Sequence, residues 1–115
     1  MKFTAALELE NNWHITLCFC DANKRLGKVK TWHDSSSVAV IDVQYWSNVD
    51  LTVLLVAYDG IVSERHEYYL SNGYTYEKYN YKPHITVAKG DKVSKFQNYI
   101  GKNLNVIGEY VRIFA

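Results

Sequence analysis

Apolar and polar positions alternate with a period of two along several stretches of this chain, the pattern of half-buried β-strands. Residues 2–9, KFTAALEL, place Phe3, Ala5, Leu7 and Leu9 on one face. The polar triplet Glu10-Asn11-Asn12 ends that run and is short enough for an antiparallel partner to follow directly. Residues 13–20 are that partner, with Trp13, Ile15, Leu17 and Phe19 opposed to His14, Thr16, Cys18 and Cys20. Residues 38–46, VAVIDVQYW, are β-branched and aromatic. Strict alternation puts Ala39, Ile41, Val43 and Tyr45 on one face and Val38, Val40, Asp42, Gln44 and Trp46 on the other, more polar one. Ser47-Asn48 reads as a turn, and residues 51–58, LTVLLVAY, form a nearly unbroken apolar run. Such a run predicts a strand buried on both faces and central in its sheet.

The period then changes. Ile61, Arg65, Tyr68 and Tyr69 fall near helical spacing within residues 61–72, and Gly73 suits the position just past a helix end. Residues 74–82, with tyrosines at 74, 76, 79 and 81, read as a loop or ribbon. A strand follows at 84–89 with Pro83 at its mouth. Asp91 reads as the cap of a helix with the stripe Val93, Phe96 and Ile100, closed by Gly101, and residues 104–115 read as a closing strand with a bulge at Gly108. Residues 21–34 read as a short helix or an irregular loop, since Asp21 can cap a helix and Gly27 weakens a long one. This order of elements predicts an α+β fold with antiparallel sheets.

Composition sharpens the reading in three ways. A chain of 115 residues, 48% hydrophobic, fits one domain over 1–115 with a real core. Thirteen basic residues against twelve acidic ones argue against a general nucleic-acid coat, so no stable nucleic-acid complex is expected. Cys18 and Cys20 lack the further ligands of a zinc site and read as reduced, small apolar side chains. MKFTAALELE does not resemble a secretory signal, and no apolar run approaches the ~18 residues of a membrane span. The expectation is a cytoplasmic monomer with no membrane association.

The chemistry concentrates in a tripeptide that occurs twice, His14-Ile15-Thr16 and His84-Ile85-Thr86. On a strand, residues i and i+2 share a face, so each copy offers an imidazole and a hydroxyl on one side and apolar residues on the other. Two such pairs across a cleft suit a phosphodiester. One neutral histidine takes a proton from the attacking hydroxyl and the other, protonated, gives one to the leaving oxygen. The threonines donate hydrogen bonds to the non-bridging oxygens as charge grows there. This logic requires no metal and no cofactor. His33 and His66 lie in polar surroundings without a matching pattern and read as surface residues.

H-I-T-L-x-F and P-H-I-T-V-A resemble the 2H phosphoesterase superfamily, named for its two H-x-T motifs, and the resemblance covers most of the chain. It implies a bilobal α+β fold with two antiparallel sheets flanking a cleft and helices outside. It also implies metal-independent phosphodiester chemistry, with His14 and His84 as the acid–base pair and Thr16 and Thr86 as phosphate ligands. The short Glu10–Asn12 connection departs from most members, which place a helix and loop there. The trimmed front end, the spacing of the motifs, Trp46 and Glu109 look like the phage anti-CBASS type, which cleaves cyclic di- and trinucleotide alarm signals in the host cytoplasm. Trp46, Tyr81 and Glu109 are then the expected substrate-binding residues, with Trp46 and the tyrosines as stacking platforms. Two other readings stay open. One is an enzyme acting on 2′,3′-cyclic RNA ends, which Lys24, Arg25, Lys28 and Lys30 keep alive. The other is a catalytically silent protein that only binds nucleotides.

Overall fold

A computed structural model describes residues 2–21, 36–74 and 80–114. The elements are β1 (Lys2–Leu9), β2 (His14–Asp21), β3 (Ser37–Trp46), β4 (Leu51–Val56), α1 (Gly60–Ser71), β5 (His84–Lys89), α2 (Val93–Phe96) and β6 (Asn103–Phe114). Short 3₁₀ turns occupy Glu10–Asn12 and Gln97–Tyr99. Of the expected helix or loop at 21–34, Asp21 is the last residue of β2 and residues 22–34 fall outside the described residues, as do the tyrosines at 76 and 79.

The α+β class and the antiparallel pairing hold throughout. In place of two separate sheets, the described strands form one six-stranded sheet in the order β2-β1-β6-β3-β4-β5. Its midline is narrow. β3 meets β6 only through Ser37, Val38 and Ala39 against Asn105, Leu104 and Asn103. Backbone hydrogen bonds from Gly101 N to Val40 O and from Val40 N to Lys102 O extend that seam. Each side of the seam carries three strands with the motif strand outermost. The sheet rolls so far that its two outer strands, β2 and β5, touch.

The register explains which side chains face where. One residue is skipped in each of four strands: Leu17 in β2, Ile107 in β6, Ile41 in β3 and Val87 in β5. A bulged residue reverses the alternation that follows it. The faces expected from strict alternation therefore fail beyond each skip. Cys18 turns into the core and Phe19 turns outward, while the Cys20 side chain lies outside the described ones. Val38 and Val40 join Val43 in the core, and Ile41 is left 55% exposed. The bulge expected at Gly108 sits one residue earlier, at Ile107.

Helix α1 closes the core, burying Ile61, Val62 and Tyr69 against Phe3, Leu7, Ile15, Val40, Leu54 and Ile85. Each fully buried aliphatic or aromatic side chain of this kind contributes about 1.5–3 kcal/mol. Its C-terminus is a Schellman motif. Gly73, at φ 82, donates to Leu70 O, and Tyr74 donates to Tyr69 O. This turns Tyr74 inward, edge-on to Phe3 at 5.0 Å. The helix expected after Asp91 is a single α turn followed by a 3₁₀ turn, and Tyr99 packs where Ile100 was expected to. Among the described residues no helix is long and apolar enough to cross a membrane.

Candidate active site

Directly paired residues of an antiparallel ladder project from the same face. On one side of the seam, His14 pairs with Glu8 and Glu8 with Gly108; Thr16 pairs with Ala6 and Ala6 with Tyr110; Thr4 pairs with Arg112. The face that carries His14 and Thr16 therefore also carries Glu8, Tyr110 and Arg112. On the other side, His84 pairs with Leu55 and Leu55 with Asp42; Thr86 pairs with Val53 and Val53 with Gln44; Leu51 pairs with Trp46. His84 and Thr86 thus share their face with Asp42, Gln44 and Trp46. Ile15 and Ile85, the middle residues of the motifs, are both fully buried beneath.

The His84 ring is fixed from two directions. Nδ1 lies 2.8 Å from the backbone oxygen of Lys82. A carbonyl oxygen only accepts, so Nδ1 carries a proton and Nε2 remains for chemistry. The Trp46 indole leans on the imidazole with centroids 4.5 Å apart. That indole is itself held: its Nε1 donates to Gln44 Oε1 at 3.0 Å, and Gln44 Nε2 donates to Asp42 Oδ2 at 3.1 Å.

His14 sits differently. It keeps contact with solvent, yet partial burial pushes its pKa below the ordinary histidine value. The positive charges of Arg112 and then of His84 push it the same way. The contact of β2 with β5 brings the two motifs, 70 positions apart in sequence (84 − 14), into one neighbourhood. The Tyr110 ring stands edge-on at 6.5 Å from the His14 ring, and the Arg112 guanidinium carbon is 5.8 Å from the Tyr110 centroid. A cleft of about 530 Å³ opens beside His14, lined by Glu8, Asn12, Trp13, His14, Tyr110 and Arg112.

Of the further residues expected at the site, Trp46 is brought to it. Tyr81 is placed between the motifs rather than over the cleft. Its hydroxyl donates to Thr16 O at 2.7 Å, tying the segment that leads into β5 to the open edge of β2. Burial raises its pKa. One face of its ring is covered by His66, stacked at 3.8 Å and 10°. His66, expected at the surface, is thus half-buried, with Nδ1 at 2.8 Å from Tyr58 Oη, and burial lowers its pKa. Residues 81–84 hold both motifs at once: Tyr81 fixes Thr16, Lys82 O fixes the His84 ring, and Pro83 O accepts from Val56 N at 3.1 Å.

Glu109 is not brought to the cleft. It lies on the opposite face of β6 from Tyr110, buried against α1. Arg65 Nε and Nη2 donate to its two carboxylate oxygens at 2.7 and 2.9 Å, and the Tyr69 hydroxyl donates to Oε2 at 2.7 Å. The opposite face of β6 carries Tyr110 and Arg112, one and three positions after Glu109. Glu8, Tyr110 and Arg112 are not among the residues expected from the sequence: Tyr110 and Arg112 owe their place to β6 pairing with β1, and Glu8 owes its place to the β1–β2 hairpin register that sets it opposite His14. Among the described residues, no three histidine, cysteine, aspartate or glutamate side chains gather as metal ligands would.

The family model described as anti-CBASS protein Acb1 matches residues 1–112. No curated protein matches the chain significantly. With nearly its whole length covered, and with both H-x-T strands inside the match, the chain belongs to the anti-CBASS protein Acb1 family.

Proposed function

We propose that this protein is a phosphodiesterase of the 2H type that cleaves 3′–5′ bonds of cyclic di- and trinucleotide signals, countering CBASS defence from the host cytoplasm. The observation that carries the reading is the meeting of the two outer strands, which brings the two His-x-Thr motifs together, with Tyr81 bonded across to Thr16 O. The two sides of the rolled sheet act as the two lobes, within a single domain over residues 1–115, and the protein acts as a monomer.

The environments of the two histidines divide the proton work. Burial, and after it the positive charge of Arg112, lowers the pKa of His14, which favours the neutral imidazole that a general base needs. It takes the proton from a ribose 2′-hydroxyl as that oxygen attacks the adjacent phosphorus. His84 presents Nε2–H when protonated, with Nδ1–H anchored on Lys82 O, and gives its proton to the departing 5′-oxygen. The P–O5′ bond breaks as the P–O2′ bond forms, leaving a linear 2′,3′-cyclic phosphate. Thr16, Thr86 and Arg112 take the phosphate oxygens, and Trp46 and Tyr110 provide faces for bases. The scheme uses no metal.

The test incubates the purified protein, with a chelator present, against cyclic di- and trinucleotides and an RNA ending in a 2′,3′-cyclic phosphate. Linear products from the cyclic substrates are expected. Tight binding without turnover would reduce the protein to a nucleotide sponge, turnover of the RNA end alone would move it to RNA repair chemistry, and loss of activity to the chelator would remove the metal-free scheme.

A further inference from the structure

The cleft beside His14 has more chemistry than bond cleavage uses. Two aromatic residues wall it. Trp13 is braced from behind by Tyr99 at 5.4 Å and Phe96 at 6.4 Å, and Tyr110 is flanked by Arg112. Its volume of about 530 Å³ falls in the range of small-ligand sites, roughly 300–1,000 Å³. Arg112 supplies one cation for a phosphate. The cleft also holds a carboxylate, Glu8, which would repel a phosphate and so must serve a different part of the ligand. Glu8 stands between His14 and Gly108 on the ladder, and its Oε2 lies 3.5 Å from where a side chain on Gly108 would begin. The missing side chain at Gly108 leaves room for the carboxylate to lie over β6. Asn12 also lines the cleft, on a left-handed backbone at φ 61.

A carboxylate accepts hydrogen bonds through two parallel oxygens and donates none. Among the nucleobases only guanine offers two adjacent donors, N1–H and N2–H, on its pairing edge. Adenine and cytosine place a ring acceptor beside their amino group, and uracil flanks its single N–H with two carbonyls. The same guanine edge ends in the O6 acceptor, which matches the amide donor of Asn12. We propose that this cleft is a nucleobase subsite in which Glu8, with Asn12, selects guanine. The inference rests on the nucleotide-ligand reading above and names the base that this side of the site takes.

Mononucleotides test it without requiring any cleavage. Binding of 5′-GMP and 5′-AMP to the wild-type protein and to Glu8→Gln is measured by calorimetry or by NMR titration. The wild type is expected to bind 5′-GMP about 10- to 100-fold more tightly than 5′-AMP, as for loss of hydrogen bonds to a charged group. Glu8→Gln should abolish that preference, and Asn12→Ala should weaken 5′-GMP severalfold while leaving 5′-AMP alone. Equal binding of the two nucleotides by the wild type, no binding of either, or a guanine preference that survives Glu8→Gln would each overturn the assignment. A protein that binds 5′-GMP in this way but cleaves no cyclic nucleotide would keep the subsite and lose the phosphodiesterase reading.

Discussion

The two sides of the seam, β2-β1-β6 and β5-β4-β3, repeat one backbone plan with different side chains on it. Each outer strand carries His-Ile-Thr, each buries the isoleucine, and each skips the residue that follows the threonine, Leu17 or Val87. Each inner strand also skips one isoleucine, Ile107 or Ile41. The companions at equivalent rungs diverge. Where the first side has Glu8, Tyr110 and Arg112, the second has Leu55, Gln44 and Trp46. Behind the sheet, the buried Glu109 occupies the rung at which the second side has Val43. Duplicated backbone thus presents the two motifs alike, and the unlike companions give the two histidines different environments.

The largest expected effect tests whether both sides are needed. His14→Ala and His84→Ala should each lower kcat by about 10²–10⁴, as expected for a lost general acid or base. Full activity in either variant would mean that one side works alone, and the pairing would lose its meaning.

The next tests the back of the sheet. Glu109→Ala strands Arg65 beneath the first side, in a place where the second side is apolar. Breaking a buried pair costs about 3–5 kcal/mol, and the 14% exposure of the Arg65 side chain places the loss near about 3 kcal/mol. Chemical denaturation should show this loss while kcat at a permissive temperature stays unchanged. A large fall in kcat with unaltered stability would instead return Glu109 to the substrate.

A smaller effect sharpens the contrast between the histidines. A cation next to an imidazole disfavours its protonated form, so Arg112→Gln should move the His14 titration up toward the ordinary histidine value, as read by NMR. If neutral His14 is the base, the acid limb of the kcat/KM profile should move to higher pH with it. For stability the sign is opposite to that of a paired histidine. The unfolded chain binds the proton more readily, so His14 adds no penalty above the unfolded pKa and stability is lost as pH falls below it.

Smallest is the brace. Tyr81→Phe keeps the stack on His66 but removes the bond to Thr16 O, and should cost about 0.5–1.5 kcal/mol by thermal or chemical denaturation. The same variant should weaken the influence of His84 on His14. An unchanged His14 titration would show that strand contact alone sets the two motifs.

What could be read along the chain was local. Alternation marked β1, β2 and β5, the unbroken run marked β4 as an inner strand, and Gly73 marked the end of α1, because each depends on neighbours a few residues away. The His-x-Thr pairs were legible for the same reason: a period of two places both side chains on one face wherever the strand lies. Beyond a bulge that reasoning stops, since the skipped residue is set by the partner strand, and Cys18 and Val40 accordingly face the core rather than the side expected. Glu109 and Tyr81 show the other limit. Each is polar and plausible as a ligand contact, Tyr81 three residues before His84 and Glu109 as an acid in the last strand. Only α1 packing behind β6 supplied Arg65 and Tyr69 to Glu109, and only the meeting of β2 with β5 put the Tyr81 hydroxyl on Thr16. Arg112 and Tyr110 reach the site through pairings roughly a hundred residues apart in the chain, for which local pattern carries no signal, whereas Glu8 arrives through the β1–β2 hairpin as the direct partner of His14. The chain by itself determined that each motif sets a histidine and a threonine on one strand face. The rolled sheet decided that the two motif strands meet, and which side chains stand beside each.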